Sequence, residues 1–480
     1  MEMITTMIDE LIRKHISPER AAAFRTKLLK RLSVEAHAYY GKKISVMPHV
    51  PVNLPLLNLW YTPGVSGVSL AIREDNRRAF DLSGRGNLVA VVSDSTRVLG
   101  DGNCTPPGGL GVMEGKALLM KYLGGVDAVA LCMDSRDRKG NHDPERIINF
   151  VKMASPSFGA VNLEDISQPN CYTVLDRLRA ECLIPVWHDD AQGTACVTLA
   201  ALQNALKLAG KEKTAARVVF FGAGASNSSA ARLLIADGFN PGNIILFDAA
   251  GALHRGRADI ESDPRFYRQW ELCVSTNPDR ISDPAAALRD ADALIAFSAP
   301  GPGVIRAEWI AGMAERPVVF ACANPVPEIY PDDAHAAGAF ITATGRGDFP
   351  NQVNNAVCFP GILKGALLAR AATITDSMAI HAAHSIAAFA ERRGINRYDI
   401  LPRMDEDGLH AELAADVAMS AVREGISGRV LKYDEYRERA AADIREVRDA
   451  MRVLENAGII RKFPENELLR VFDELMREEL

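Results

Sequence analysis

Several absences narrow the class of this 480-residue chain before any motif is considered. Its eight cysteines, at positions 104, 132, 171, 182, 196, 273, 322 and 358, contain no Cys-x-x-Cys pair. That spacing excludes a zinc finger, and cysteines so sparse in so long a chain exclude a disulfide scaffold. Reduced thiols and a cytoplasmic setting are expected. No apolar run approaches about 20 residues, the length a membrane-spanning helix needs, so no membrane partner is expected. Acidic Asp9 and Glu10 stand close behind the first residues, which does not fit a secretory signal. Positive charge is not in surplus: 55 Lys and Arg against 61 Asp and Glu leave a net charge of -6. Bulk binding to nucleic acid is therefore not expected. No repeat or low-complexity stretch is found.

What is present is an ordinary globular balance, 48% hydrophobic and 24% charged, in a chain long enough for two or three domains. Residues 1–40 carry helical stripes through Ile4, Ile8 and Leu11, then Phe24 and Leu28, with Ser17-Pro18 as a helix start. Residues 41–64 read as extended loop. Apolar strands are predicted at Leu88–Val92, Val126–Met133 and Val161–Leu163. Glycines crowd residues 100–115, where the backbone must bend sharply or approach something closely. A helix is predicted over Ala195–Ala209, stopped by Gly210. Beyond it strands and helices alternate to about 345, the pattern of a parallel, doubly wound sheet. Tyr436, Ala440, Ile444, Val447, Met451 and Leu454 form a long helical stripe, which packs on its own chain or on another subunit.

Within the alternating region, strand Arg217–Phe221 runs straight into Gly222-Ala223-Gly224, and a helix is predicted over Ser228–Asp237. Gly222, Gly224, Ala225 and Ser226 form a turn that can seat a pyrophosphate on a helix N-terminus. The third glycine usual in such turns is Asn227. Asp248 ends the next strand, placed to accept ribose hydroxyls, which favours NAD and leaves NADP open. His254, Arg255 and Arg257 follow; they would meet a 2′-phosphate or form a solvated basic loop.

Two acidic pairs, Glu164-Asp165 and Asp189-Asp190, end apolar segments. Packed together without a cation they repel; a divalent ion resolves the conflict, and oxygen ligands suit Mg²⁺ or Mn²⁺. Since adjacent strand residues point to opposite faces, three of the four acids are expected to reach it. Taken alone, each pair also reads as surface acids at a strand end. Tyr61 reads alone as an aromatic anchor beside Trp60, Lys116 as a helix lysine, or a base if apolar surface and cations lower its proton affinity, and the asparagines as turn formers or caps.

Taken in order, Tyr61-Thr62-Pro63-Gly64-Val65, Glu114-Gly115-Lys116, Asn162–Ile166, His188–Thr194, Thr344-Gly345-Arg346 and Phe349–Asn355 resemble the malic enzymes from about residue 40 to 370. The resemblance implies an α/β fold: an N-terminal α/β substrate and metal domain, a doubly wound Rossmann-type NAD(P)-binding domain and a helical C-terminal segment, over residues 1–194, 195–365 and 366–480. It implies oxidative decarboxylation of (S)-malate, with Lys116 as base, Tyr61 as acid and Asp189 orienting the lysine. Arg97, Asn324 and Asn355 would bind substrate, with Asn324 also on the cofactor. Glu164, Asp165 and Asp190 would hold the metal. A homodimer or higher homo-oligomer is expected. The chain departs from the family pattern at Leu99–Asn103, Gly111, Ala191-Gln192 and Asn227. The altered 101–111 loop keeps another 2-hydroxy acid as an alternative substrate, and a non-catalytic nucleotide-binding subunit is the alternative of a different class.

Overall fold

The computed structural model describes residues 2–41, 43, 44, 47–98 and 101–479, with side chains from Thr5 onward. The side chain of Ile4, and Leu99 and Gly100 of the Leu99–Asn103 segment, lie outside the described residues. The chain forms two compact units, one from residues up to Pro51 together with those from Arg448, the other from Val52–Val447.

In the first unit, helices Glu2–His15 and Pro18–Tyr40 pack with helix Glu465–Glu479. The stripe through Ile8, Phe24 and Leu28 is buried against Leu468, Phe472 and Leu475. The rings of Phe24 and Phe472 meet edge to face at 5.4 Å. Each such side chain contributes roughly 1.5–3 kcal/mol on burial, enough to join the two ends of the chain. Pro18 opens the second helix after Ser17, which makes no side-chain cap.

The second unit holds two sheets. In the smaller, β1 (Leu88–Ser93), β2 (Asp127–Cys132), β3 (Ala160–Leu163) and β4 (Val186–His188) lie parallel in the order β2-β1-β3-β4. Helices Pro144–Ala154 and Asn170–Glu181 pack against one face, on Ala90, Val92, Val161, Leu163 and Val186. Alternate residues, Asn162 and Trp187 among them, point to the other face.

The larger sheet comprises β5 (Val218–Phe221), β6 (Ile244–Asp248), β7 (Gly251–Ala252), β8 (Ala293–Ala296), β9 (Val318–Ala321) and β10 (Ile341–Thr344), in the order β10-β9-β8-β5-β6-β7. All neighbours are parallel except the short β7. The chain leaves β5 towards β6 and later returns on the other side as β8. The sheet therefore has a topological switch at β5, where ligands of such folds bind beyond the strand ends.

The predicted strands and the helix before the larger sheet are found, the latter as Thr194–Ala209. The helix after β5 begins earlier than expected, at Ala225, directly on the glycine turn. Part of the expected loop over 41–64 is a short helix, Leu57–Trp60. The glycine-crowded stretch turns into helices Thr105–Gly108 and Leu110–Gly124. Gly109 between them is required by close approach, because a Cβ there would lie 2.1 Å from Ser95 Oγ. In helix Tyr433–Asn456 the stripe is buried at Tyr436, Ala440, Ile444 and Val447, with Ala440 and Ile444 against Ala411 and Ala414, so it packs on its own chain. Among the described residues no helix is long and apolar enough to cross a membrane.

Candidate active site

The register of β3 on β4 pairs Leu163 with His188. The next residues, Glu164-Asp165 and Asp189-Asp190, therefore leave the sheet side by side. Glu164, Asp165 and Asp190 each present a carboxylate oxygen within 4.8 Å of the others. Alternation would have sent Asp165 away from Glu164. It is no longer in the strand, however, and adopts φ 54°, left-handed, a conformation that a non-glycine residue holds only when its surroundings enforce it. Here its N–H donates to Asp190 Oδ2 at 2.7 Å, and its carbonyl accepts the Arg97 N–H at 3.0 Å. Burial pushes the Glu164 carboxyl well above its ordinary range, and repulsion from Asp190, Asp189 and Asp165 adds to this against the pull of Lys116. Three converging hard oxygens fit Mg²⁺ or Mn²⁺.

Lys116 rises from helix Leu110–Gly124 into these acids. Its Nζ lies 3.0 Å from Glu164 Oε1, hydrogen-bonds Asp189, and sits 4.6 Å over the ring of Phe359. Asp189 is fully buried and also accepts Trp187 Nε1 and Asn355 Nδ2, each at 3.2 Å. Burial alone would lower the lysine's proton affinity, but Asp189, Glu164 and Asp190 reverse the sign and hold its pKa well above the ordinary value. The apolar wall read from the sequence is present in Phe359, and the surrounding acids outweigh it. A cation on the same carboxylates would cancel that field and favour the free amine. Asn355 Nδ2 also donates to the Asp189 carbonyl at 3.1 Å and to Thr194 Oγ1 at 3.0 Å, so this amide is oriented by the lysine's partner.

At the switch point Gly222 has φ 94°, and a Cβ on it would lie 2.4 Å from the Phe297 carbonyl oxygen. Only glycine fits. Gly224 precedes helix Ala225–Ala236, whose first N–H groups lack intrahelical acceptors and face an incoming anion. The amide of buried Asn227 donates to the Phe221 and Gly222 carbonyls at 2.8 and 2.9 Å. The larger residue thus fastens the turn to β5. Ser226 Oγ donates to the Asp190 carbonyl at 3.0 Å, linking the cofactor turn to the acid cluster. These features fit a dinucleotide. Asp248, at the end of β6, is held by Arg257 at 2.7 and 3.0 Å, and Arg257 also grips Asp259. With its side chain 11% exposed, Arg257 belongs to a half-buried ion network, not to a solvated loop.

The structure does not gather every residue singled out from the sequence. Tyr61 is 71% exposed, and its hydroxyl bonds to no described residue. The side chains of Arg97 and Asn324 are exposed as well. Conversely, two supporting residues escaped the sequence reading: Trp187, on Asp189, and Asn162, whose amide donates to Glu164 Oε2 at 2.8 Å. Each stands two residues before its acid, and strand alternation places residues so spaced on one face.

Known proteins are similar to this chain over most of its length. The model of the malic enzyme N-terminal domain matches residues 42–179, and that of the malic enzyme NAD binding domain matches residues 191–425. The bifunctional malic/malolactic enzyme of Bacillus subtilis is 39% identical over 413 residues, covering 86% of this chain and 97% of its own. The NAD-dependent malic enzyme of Geobacillus stearothermophilus is 41% identical, covering 81% and 78%. Among solved structures, the malic enzyme of Entamoeba histolytica superposes with a TM-score of 0.94 at 53% identity, covering 96% of each chain. That of Pyrococcus horikoshii gives 0.83 at 41%, covering 89% and 99%. The chain belongs to the malic enzyme family.

Proposed function

We propose that this chain oxidatively decarboxylates (S)-malate to pyruvate and CO₂ while reducing NAD⁺ or NADP⁺. The observation that carries this reading is the meeting of Lys116, its orienting Asp189 and the acids Glu164, Asp165 and Asp190 at the ends of β3 and β4. A dinucleotide at the Gly222–Ser226 turn would supply the hydride acceptor, and a divalent cation on the three acids a Lewis acid. Lys116 takes the proton of the C2 hydroxyl as the C2 hydride leaves. Asp189 aims the amine, with Trp187 and Asn355 fixing the carboxylate in turn. Arg97 and Asn324 bind the substrate, the arginine by pairing with a carboxylate. After CO₂ departs, Tyr61 returns a proton to C3, so no net proton is consumed.

A homodimer or larger assembly belongs to the same reading. Tyr61 stands among exposed Leu54, Leu57, Leu59 and Trp60, an apolar strip suited to cover by a second copy. The test is reduced-nicotinamide absorbance with malate, Mn²⁺ and either dinucleotide, with pyruvate assayed as product. Signal and pyruvate rising together would support the proposal. Folded, metal-loaded protein giving neither would refute it.

A further inference from the structure

The buried carboxylate of Glu328 takes no part in the chemistry above, yet it sits between two loops that form the cofactor crevice. It is fully buried, and among the described residues no Lys, Arg or His pairs with it. Its head is occupied by three donors. Oε1 accepts the Ser298 N–H at 2.7 Å and the Ser298 hydroxyl at 2.9 Å; Oε2 accepts the Ala323 N–H at 3.0 Å. Ser298 follows β8, and Ala323 follows β9 directly before Asn324. The Glu328 carbonyl accepts the N–H groups of Gly303 and Ile305 at 3.1 and 3.3 Å, drawing in the rest of the β8 loop.

Both loops lie close against neighbouring backbone. A Cβ on Gly222 would lie 2.4 Å from the Phe297 carbonyl oxygen, and one on Gly345 would lie 2.8 Å from the Cys322 carbonyl oxygen. Glu328 thus ties together the middle of a close-packed row from the glycine turn after β5 to the loop after β10. That row lies across the strand ends at the topological switch, where a dinucleotide binds in this class of sheet.

We propose that Glu328 is a positioning residue for the cofactor: by fixing Ser298 and Ala323 together it sets the height of the β8 and β9 loops, and with them Asn324, against the bound dinucleotide. The proposal rests on the reading that this crevice binds NAD(P). A buried donor left without its acceptor destabilises the arrangement it belonged to. Glutamine at 328 offers one acceptor and one NH₂ to three donors. In either amide orientation a backbone N–H, of Ser298 or of Ala323, faces another donor. Ser298→Ala is the milder test, since it removes the hydroxyl and keeps both backbone bonds.

The experiment titrates reduced dinucleotide by its fluorescence into wild type, Glu328→Gln and Ser298→Ala, without malate. Thermal melting of each and the deuterium isotope effect on turnover of C2-deuterated malate accompany it. Glu328→Gln should bind the dinucleotide at least about tenfold more weakly while melting as a folded protein, with a changed isotope effect, because donor and acceptor carbons are no longer aligned. Ser298→Ala should bind about threefold more weakly. Unchanged affinity and isotope effect in folded Glu328→Gln would overturn the proposal. Should that variant not fold, unchanged affinity in Ser298→Ala would overturn it. Failure of wild type to bind any dinucleotide would instead remove the reading on which the proposal rests.

Discussion

The Nζ of Lys116 lies 3.0 Å from Oε1 of Glu164, so the candidate base and a candidate metal ligand share one electrostatic field. The acids hold the lysine's pKa well above its ordinary value, and the lysine in turn offers them a positive charge. Lys116→Ala removes the proposed proton acceptor and touches nothing in the Gly222–Ser226 turn. Turnover should fall by at least roughly 10²-fold, the usual contribution of a positioned base, while affinity for reduced dinucleotide stays within about twofold. Steady-state kinetics and a fluorescence titration read the two effects separately; normal turnover would remove Lys116 from the mechanism.

The same pairing makes a stability prediction. Removing one partner of a buried ion pair leaves an uncompensated charge, with an effect of roughly 3–5 kcal/mol. Metal-free Lys116→Ala should therefore melt well below metal-free wild type. Mn²⁺ should raise the melting temperature of both, and more for the variant, since the ion then replaces the lost charge. At a hundredfold excess over its dissociation constant a bound ligand stabilises the folded state by about 2.7 kcal/mol. Glu164→Gln or Asp190→Asn should abolish the Mn²⁺ shift in an otherwise folded protein. Shifts equal to wild type in both would mean that the ion sits elsewhere.

Strands β3, β4, β5 and β6 are readable in the sequence because they are short apolar runs that meet an acid or a glycine at their C-terminal ends. Three features were not readable for identifiable reasons. Asp165 joins Glu164 because its left-handed backbone overrides strand alternation, and that conformation is imposed by tertiary hydrogen bonds. The direction of the Lys116 shift depends on acids 48 and 73 residues further along the chain, Glu164 and Asp189, which no local window contains. By local pattern Arg257 is one of three basic residues that meet a 2′-phosphate or form a solvated loop, whereas its pairing with Asp248 and Asp259 leaves its side chain 11% exposed. For Asp165 and Lys116 contacts distant in sequence decide the outcome, whereas for Arg257 it is the turn after β6 that brings near neighbours in sequence onto one guanidinium.

Trp187 offers a test of the orienting layer. Its indole N–H donates to Asp189 Oδ1 at 3.2 Å from full burial. Trp187→Phe keeps a large apolar side chain and removes that donor, leaving Asp189 held by Lys116 and Asn355. Turnover should fall about tenfold, with dinucleotide affinity and metal-induced stabilisation retained. A fall in all three together would mean that the tryptophan acts only by packing.

Tyr61 is the one proposed proton carrier that the structure leaves in solvent, and the strip around it makes the last prediction. Tyr61→Phe keeps the ring and deletes the acid, so pyruvate formation should slow by roughly 10²-fold or more without loss of metal or dinucleotide binding. Leu54, 81% exposed, contributes nothing to the core of its own unit. Leu54→Asp should then leave the melting temperature of the isolated chain nearly unchanged, because exposed substitutions usually act within about 0.5 kcal/mol. If a second copy covers the strip, the new charge is buried on assembly, and sedimentation velocity should show a smaller species than wild type at equal concentration. Turnover per chain should fall with it, since Tyr61 lies in the same strip. A variant that sediments and turns over as wild type does would separate Tyr61 from any subunit contact and leave its exposure to be closed by movement within one chain.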